Sequence, residues 1–391
     1  MESPIQTSQM EIEIISPLHV GTGELLAGME TLITQDELTV LDANKLTAWV
    51  SREPSRADAF VQLMERGGNL KEFFARYRQD PRQLVAYSIR NETMDAPKKI
   101  MPFIKAPGYR PYLPGSSIRG SIRSAVLRGL TSEKIQGTEK WHADLQSIAE
   151  PLTQKGQDAS PELEAKVFVP KDVPRGKRPN YDLNRSWGIS DSSLQAVETL
   201  ELAQVRILSS ANGQMHLKKF SLFAESLKPG TKLRALYSRN VAMLSGRDAM
   251  SELDFKRRAP LVEQLSVFCK ASALNLIEQE SAFYQRHGQQ DLREWYDKRR
   301  VEALRLSKNQ FLLSIGWGSG FDAKTITDLL GEQVFRNIVN KYKNTERLGK
   351  PGGTDKWLGV KESPKSRKIV VRRPNGDEVR EPLGWVKITL L

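Results

Sequence analysis

Tyr112-Leu-Pro-Gly-Ser-Ser-Ile-Arg-Gly-Ser-Ile-Arg-Ser-Ala-Val-Leu127 is a loop that feeds a helix. Ile118, Ile122, Ala125 and Val126 recur at helical spacing, and Ser116 or Ser117 can cap the N-terminus. Arg119 and Arg123, four apart, share one face beside the apolar stripe, from which they can reach over the loop or along the helix. Leu313-Ser-Ile-Gly-Trp-Gly-Ser-Gly-Phe-Asp-Ala-Lys-Thr325 has the same character: a short strand, the glycines Gly316, Gly318 and Gly320, then a helix expected from Lys324. At such junctions the backbone N–H groups point outward at the positive end of the helix dipole, so each segment can hold a phosphate without a catalytic side chain.

Outward from these segments, Met10-Glu-Ile-Glu-Ile-Ile alternates apolar and charged residues and runs into Ser16-Pro-Leu-His-Val-Gly-Thr-Gly23, an opening strand followed by a glycine loop. A hairpin is expected at Thr31–Ile33 and Leu38–Leu41, with Asp42 and Asn44 as caps for the next helix. Between Leu130 and Trp187 periodicity is lost amid Pro, Gly and charge, which reads as a long excursion or mobile insertion. Strand-like runs return from Trp187 to Tyr237. Long helices follow from Pro260 to about Lys308, broken at Gly288, and Leu383–Leu390 closes the chain as a strand. Strands and helices mix without regular βαβ alternation, so the fold class is α+β.

The length, 391 residues, allows two or three domains. The division read here is 10–240, carrying a basic insertion at about 130–187, and 241–391. A single cysteine, Cys269, on the apolar stripe of a helix, excludes an intrachain disulfide and reads as a buried structural thiol. No stretch approaches the roughly 18 continuous apolar residues of a membrane span, and no apolar leader follows Met1, so a cytosolic protein is expected. Lys plus Arg number 59 against 47 Asp plus Glu, a formal charge of +12 that favours a polyanionic partner. From Lys341 to Arg373 there are eleven Lys/Arg and three Asp/Glu, a net +8. This stretch reads equally as a nucleic-acid contact or as a solvated loop.

Neither glycine segment completes a nucleotide-binding P-loop: Ser121 and Ile122 follow Gly120, and Ala323 precedes Lys324 where glycine is needed. Gly316-x-Gly-x-Gly320 also departs from the dinucleotide fingerprint, its third glycine coming one position early. His19, His142, His216 and His287 form no metal-ligand spacing, so neither a metal nor another cofactor is expected. His19, beside Gly21-Thr-Gly23, can either act as base on a ribose 2′-hydroxyl or make a single structural hydrogen bond at a strand end. Trp295 and Tyr296, among basic residues, suit base stacking, but an amphipathic helix covering the core is preferred.

Taken together, Ser16–Gly23, Leu113–Arg123, Gly188-Ile-Ser-Asp191, Ile315–Gly320 and Leu383-Gly-Trp-Val-Lys resemble the RAMP superfamily of CRISPR effector subunits. In order, chain length and central helices they are most similar to the family of fifth Csm subunits in type III-A complexes. The resemblance implies a ferredoxin-like, RNA-recognition-type core, a second divergent copy of that fold and helical insertions. It implies a prokaryotic, cytoplasmic, non-catalytic subunit that caps the backbone filament and holds the 3′ part of the guide RNA. Its partners would be the guide, neighbouring backbone and small subunits, and a nuclease that trims the guide. Ser116, Ser117, Arg119, Arg123, Gly316, Gly318, Gly320 and Lys324 would be the RNA contacts, with a thumb-like hairpin within Leu130–Trp187. The competing reading is a metal-independent, guide-processing endoribonuclease in which His19 abstracts the 2′-hydroxyl proton.

Overall fold

Met10, Ile12 and Ile14 are buried along the first strand, whereas Glu11 and Glu13 point the other way and pair with Lys232 and Lys387 at 3.8 and 2.6 Å. The alternation seen in the sequence thus becomes a sheet with one apolar face. The computed structural model describes residues 3–68, 70–132, 135–136, 138–211, 214–245, 253–326, 329–343, 366–372 and 378–391. Most of the basic 341–373 stretch lies outside the described residues. Among the described residues no helix is long and apolar enough to cross a membrane.

After β1 (Ile5–Ile14) come β2 (Leu26–Ala27), β3 (Thr31–Ile33) and β4 (Glu37–Leu41), then α1 (Ala43–Val50), α2 (Pro54–Glu65) and α3 (Leu70–Arg76). Strands β5 (Val85–Asn91), β6 (Lys99–Met101), β7 (Lys105–Ala106) and β8 (Arg110–Pro111) precede α4 (Gly115–Leu130), α5 (Glu139–Gln154) and α6 (Ser160–Phe168). Next are β9 (Trp187–Ile189), the long hairpin of β10 (Leu200–Ala211) and β11 (Gln214–Leu227), and β12 (Lys232–Asn240). Helices α7 (Val241–Ser245), α8 (Pro260–Glu263), α9 (Leu265–Arg286) and α10 (Gln290–Arg305) lead to β13 (Gln310–Ser314) and α11 (Glu332–Lys343). Strands β14 (Ser366–Arg372), β15 (Val379–Pro382) and β16 (Trp385–Leu390) follow.

Two sheets carry the fold. The first has the order β13-β16-β1-β12-β9, with every neighbouring pair antiparallel. Its strands β1 and β9 therefore run parallel to each other, joined through α4, with β12 reversed between them. The second has the order β2-β6-β11-β10-β5-β4-β3, with β14 also on β10 and β15 on β14. Strands from both sides of residue 240 enter both sheets: β13 and β16 complete the first, β14 and β15 extend the second. The segment after β1 stitches the sheets together through bridges Leu18 to Leu227, His19 to Trp317 and Gly21 to Phe103.

Ile118, Ile122, Ala125 and Val126 of α4 join the main core, as their spacing requires, and α9 packs on α4 so closely that a Cβ on Gly129 would run into the backbone of Phe268. Helices α9 and α10 are separated by Gly288 in the left-handed conformation, φ 64°. Cys269 is fully buried in α9, and burial pushes its thiol pKa up. The hairpin of β3 and β4 forms, and Asp42 caps α1 by accepting from the N–H groups of Asn44 and Lys45 at 2.9 and 3.0 Å.

The excursion from 130 to 187 departs from expectation. Among its described residues it is helical, with no strand before Trp187. Leu145 and Ala149 of α5 and Leu163 and Val167 of α6, two i,i+4 pairs, are buried in the main core. A proline-bearing 3-10 turn at Arg175–Tyr181 and a second 3-10 turn at Leu183–Ser186 broke the periodicity on paper. A long hairpin forms later in the chain, between β10 and β11.

Candidate nucleic-acid interface at the glycine loop

Strand β13 ends in the loop Gly316–Gly320, in which Gly316, Gly318 and Gly320 have φ of 83°, 91° and 90°. Such conformations favour glycine, but the three glycines are constrained differently. The N–H of Trp317 donates to the carbonyl of His19 at 2.9 Å, and a Cβ on Gly316 would run into that carbonyl. Gly316 is therefore needed for folding. A Cβ on Gly320 would meet nothing within 4 Å, so its surroundings leave room for a ligand. Gly320→Ala is expected to cost only the backbone strain, about 1 kcal/mol, with thermal unfolding as the check.

The loop does not feed an α-helix. It passes into a single 3-10 turn, Asp322–Lys324, and the next α-helix among the described residues begins at Glu332. Among the described residues the helix expected from Lys324, and the dipole it would aim at a phosphate, do not form. What fixes this turn is Arg128, on the last turn of α4 and 1% exposed. Its guanidinium donates to the carbonyls of Asp322 and Thr325 at 2.9 and 3.1 Å, and to Asn275 Oδ1 and Gln279 Oε1 on α9 at 2.8 and 2.6 Å.

Between this loop, β14 and Pro382–Leu383 lies a cleft of about 290 Å³. Trp317, Phe321, Lys324 and Lys368 line it. The ammonium of Lys368 stands 5.3 Å from the Trp317 ring centroid. Burial, and next the like charge of Lys324, hold the Lys368 pKa below its usual value. Neither lysine forms an ion pair among the described residues. Arg367, in the same cleft, is committed to both oxygens of Glu280 at 2.8 Å and to Asp322 at 3.4 Å. Two uncompensated lysines, an aromatic face and an open glycine backbone make an arrangement suited to a phosphodiester with a neighbouring base.

The first glycine segment is used differently. Helix α4 starts at Gly115 with Pro114 as its cap residue, so Ser116 and Ser117 lie inside its first turn and do not cap it. The N–H of Gly115 donates to Asp191 Oδ1 at 2.8 Å, and this carboxylate already answers the positive end of the helix that the sequence reading left for a phosphate. Arg119 donates to the carbonyl of Asn184 and lies 5.4 Å over the Trp187 ring. Arg123 pairs with Glu164 and Asp182, each at 2.9 Å, and lies 4.0 Å over Phe168. Both arginines reach along the helix into the 160–187 segment, and the structure does not bring them to Gly316–Gly320 or Lys324.

His19 is 2% exposed, and its Nδ1–H donates to the carbonyl of Glu225 at 2.7 Å. Burial lowers its pKa, so the imidazole is neutral near pH 7. It packs edge-on against Phe103 and Trp317. Beside it, the fully buried Glu225 carboxylate accepts from the Tyr87 hydroxyl at 2.5 Å and the Phe103 N–H at 2.8 Å, and pairs with Lys105. Tyr296 stacks on Tyr284 at 5.7 Å and is a core residue, and the half-buried Trp295 packs on Trp385 at the edge of that core.

Sequence reasoning missed Lys368, Arg128 and the capping role of Asp191. The glycine at 129 was the available signal for Arg128: a small residue in a helix marks a close neighbour, and the adjacent side chain must then lie in the contact.

With this geometry established, comparison places the molecule. A profile of the RAMP superfamily matches residues 11–321, and the chain belongs to that superfamily. It is similar to the CRISPR system protein Csm5 of Methanocaldococcus jannaschii, 22% identical over 408 aligned residues that cover 98% of this chain and 89% of the relative. Its fold is shared with a chain of the cryo-EM structure of a Csm–crRNA–target RNA ternary complex in a type III-A CRISPR-Cas system. That match has a TM-score of 0.69 and 21% identity, over 99% of this chain and 100% of the other. The crystal structure of T. onnurineus Csm5 matches with a TM-score of 0.62 and 18% identity, over 96% and 99% of the two chains. The RAMP fold is thus a Csm5-like one, in mixed helix and sheet.

Proposed function

We propose that this chain is an RNA-binding subunit of a type III-A CRISPR effector complex, holding the 3′ part of the guide RNA and capping the filament of backbone subunits. It carries no nuclease centre of its own. Membership in the RAMP superfamily and the end-to-end likeness to Csm5 support the class. The observation that carries the RNA-binding part is the cleft in which Lys324 and Lys368, without carboxylate partners among the described residues, line the same walls as Trp317 and the open Gly320. The burial of His19 argues against the endoribonuclease reading. The order β16-β1-β12-β9, with α4 and α9 between successive strands, supports a ferredoxin-like core. In this reading residues after 240 complete that core, and the second sheet is the candidate for its divergent copy. Guide RNA and neighbouring complex subunits are the partners, within a prokaryotic cytoplasm.

The test is to purify the protein from its host and sequence the RNA and identify the proteins that travel with it. Short CRISPR-derived RNAs together with a set of related subunits are expected; a lone protein free of RNA would overturn the reading. In binding assays the double variant Lys324→Ala/Lys368→Ala is expected to weaken RNA at least tenfold. It should also flatten the log affinity against log salt slope by about 1.4, two phosphates at roughly 0.7 each. An unchanged slope would remove these lysines from the interface.

A further inference from the structure

The β10–β11 hairpin carries an irregularity. Arg206 pairs with Ser221 and Leu208 with Leu217, so Lys218, Lys219 and Phe220 together stand opposite Ile207 alone. The Arg206 guanidinium donates to the carbonyl of Lys218 at 2.7 Å and holds the bulge. Bulges re-aim side chains, and this one turns three of them to solvent. Lys218 and Lys219 are exposed without an ion pair among the described residues, and Phe220 is 50% exposed. Its neighbours Met215 and Leu217 instead pack against the core.

On the opposite edge of β10, Ile207 pairs with Lys368 of β14 and itself lines the glycine-loop cleft. The bulge therefore lies about two strand spacings, roughly 10 Å, from Lys368. We infer that Lys218, Lys219 and Phe220 form a second contact for single-stranded RNA, Phe220 stacking on a base and the lysines meeting phosphates, continuous across Ile207 with the cleft. The inference rests on the RNA-binding reading above and extends its surface. Paired cations beside an exposed ring match a nucleotide better than a protein side chain, because a phosphodiester answers both charges while the base covers the ring.

The test titrates the full chain into fluorescein-labelled polyuridine RNA. Phe220→Ala is expected to weaken binding about five- to tenfold or more, and Phe220→Trp to restore it, since stacking tolerates any aromatic face. Lys218→Ala/Lys219→Ala should lower the salt slope by about 1.4. All these positions are at the surface, and circular dichroism confirms that the variants fold. If these variants keep full affinity and slope while Lys324→Ala/Lys368→Ala weakens binding, the bulge contact is overturned and the cleft stands. If the wild-type chain does not bind polyuridine, the bulge contact and the RNA-binding reading fall together.

Discussion

Replacing Glu225 by glutamine is expected to destabilise the protein by about 3–5 kcal/mol, the usual result of breaking a buried ion pair from one side. The carboxylate is fully buried and serves Tyr87, Phe103 and Lys105 at once, in the seam where the segment after β1 meets the second sheet. Glutamine keeps the shape, but it leaves the buried Lys105 ammonium without a counter-charge. The pH dependence identifies the cause. Burial already holds the Lys105 pKa below its usual value, and losing Glu225 lowers it further. A folded-state pKa below the unfolded one means stability rises as pH climbs toward the unfolded value near 10.4. The deficit of the variant should therefore shrink as the pH is raised toward the unfolded Lys value of about 10.4, measured by chemical denaturation. A deficit independent of pH would mean that packing, and not the stranded charge, accounts for it.

Arg128→Ala should be comparably damaging, about 3–5 kcal/mol, because it leaves two carbonyls and two side-chain amide oxygens without their donor and opens a cavity between α4 and α9. Lysine should rescue only part of this, since one ammonium lacks the planar fork that reaches both α9 and the Asp322–Thr325 turn. Because that turn carries Lys324, Arg128→Lys is also expected to weaken RNA binding in protein that remains folded. Wild-type affinity in a folded Arg128→Lys would mean the cleft does not depend on this anchor.

Much of the fold could be read from local pattern. The alternation at Met10–Ile14, the helical stripe of Ile118, Ile122 and Val126, the break at Gly288 and the cap at Asp42 all express short-range geometry, which sequence records directly. The candidate site was legible only in part. The Gly316–Gly320 loop and Lys324 were found, but Lys368 reaches the cleft through the pairing of β14 with β10, a contact between distant segments. Asp191 reaches Gly115 in the same long-range way, and it is this carboxylate that removes the first glycine segment from the list of empty anion sites. Arg119 and Arg123 illustrate a related difficulty. An arginine on a helix face reads as solvent-facing until a neighbouring element supplies carboxylates and aromatic rings, as the 160–187 segment does here. The thumb-like hairpin expected there does not form among the described residues, where irregular turns hid two core helices, α5 and α6.

The position of β16 between β1 and β13 has a consequence for biosynthesis. Ile14 and Val386 are register partners, so β1 leaves the ribosome long before the strand that covers its edge has been translated. During that interval Met10, Ile12 and Ile14 belong to an open, apolar strand, the kind of edge that recruits other chains. The first sheet therefore closes in a late step that joins distant segments and is accordingly slow. Chains ending before residue 385 should accumulate as aggregates, whatever the quality of the cleft they already contain.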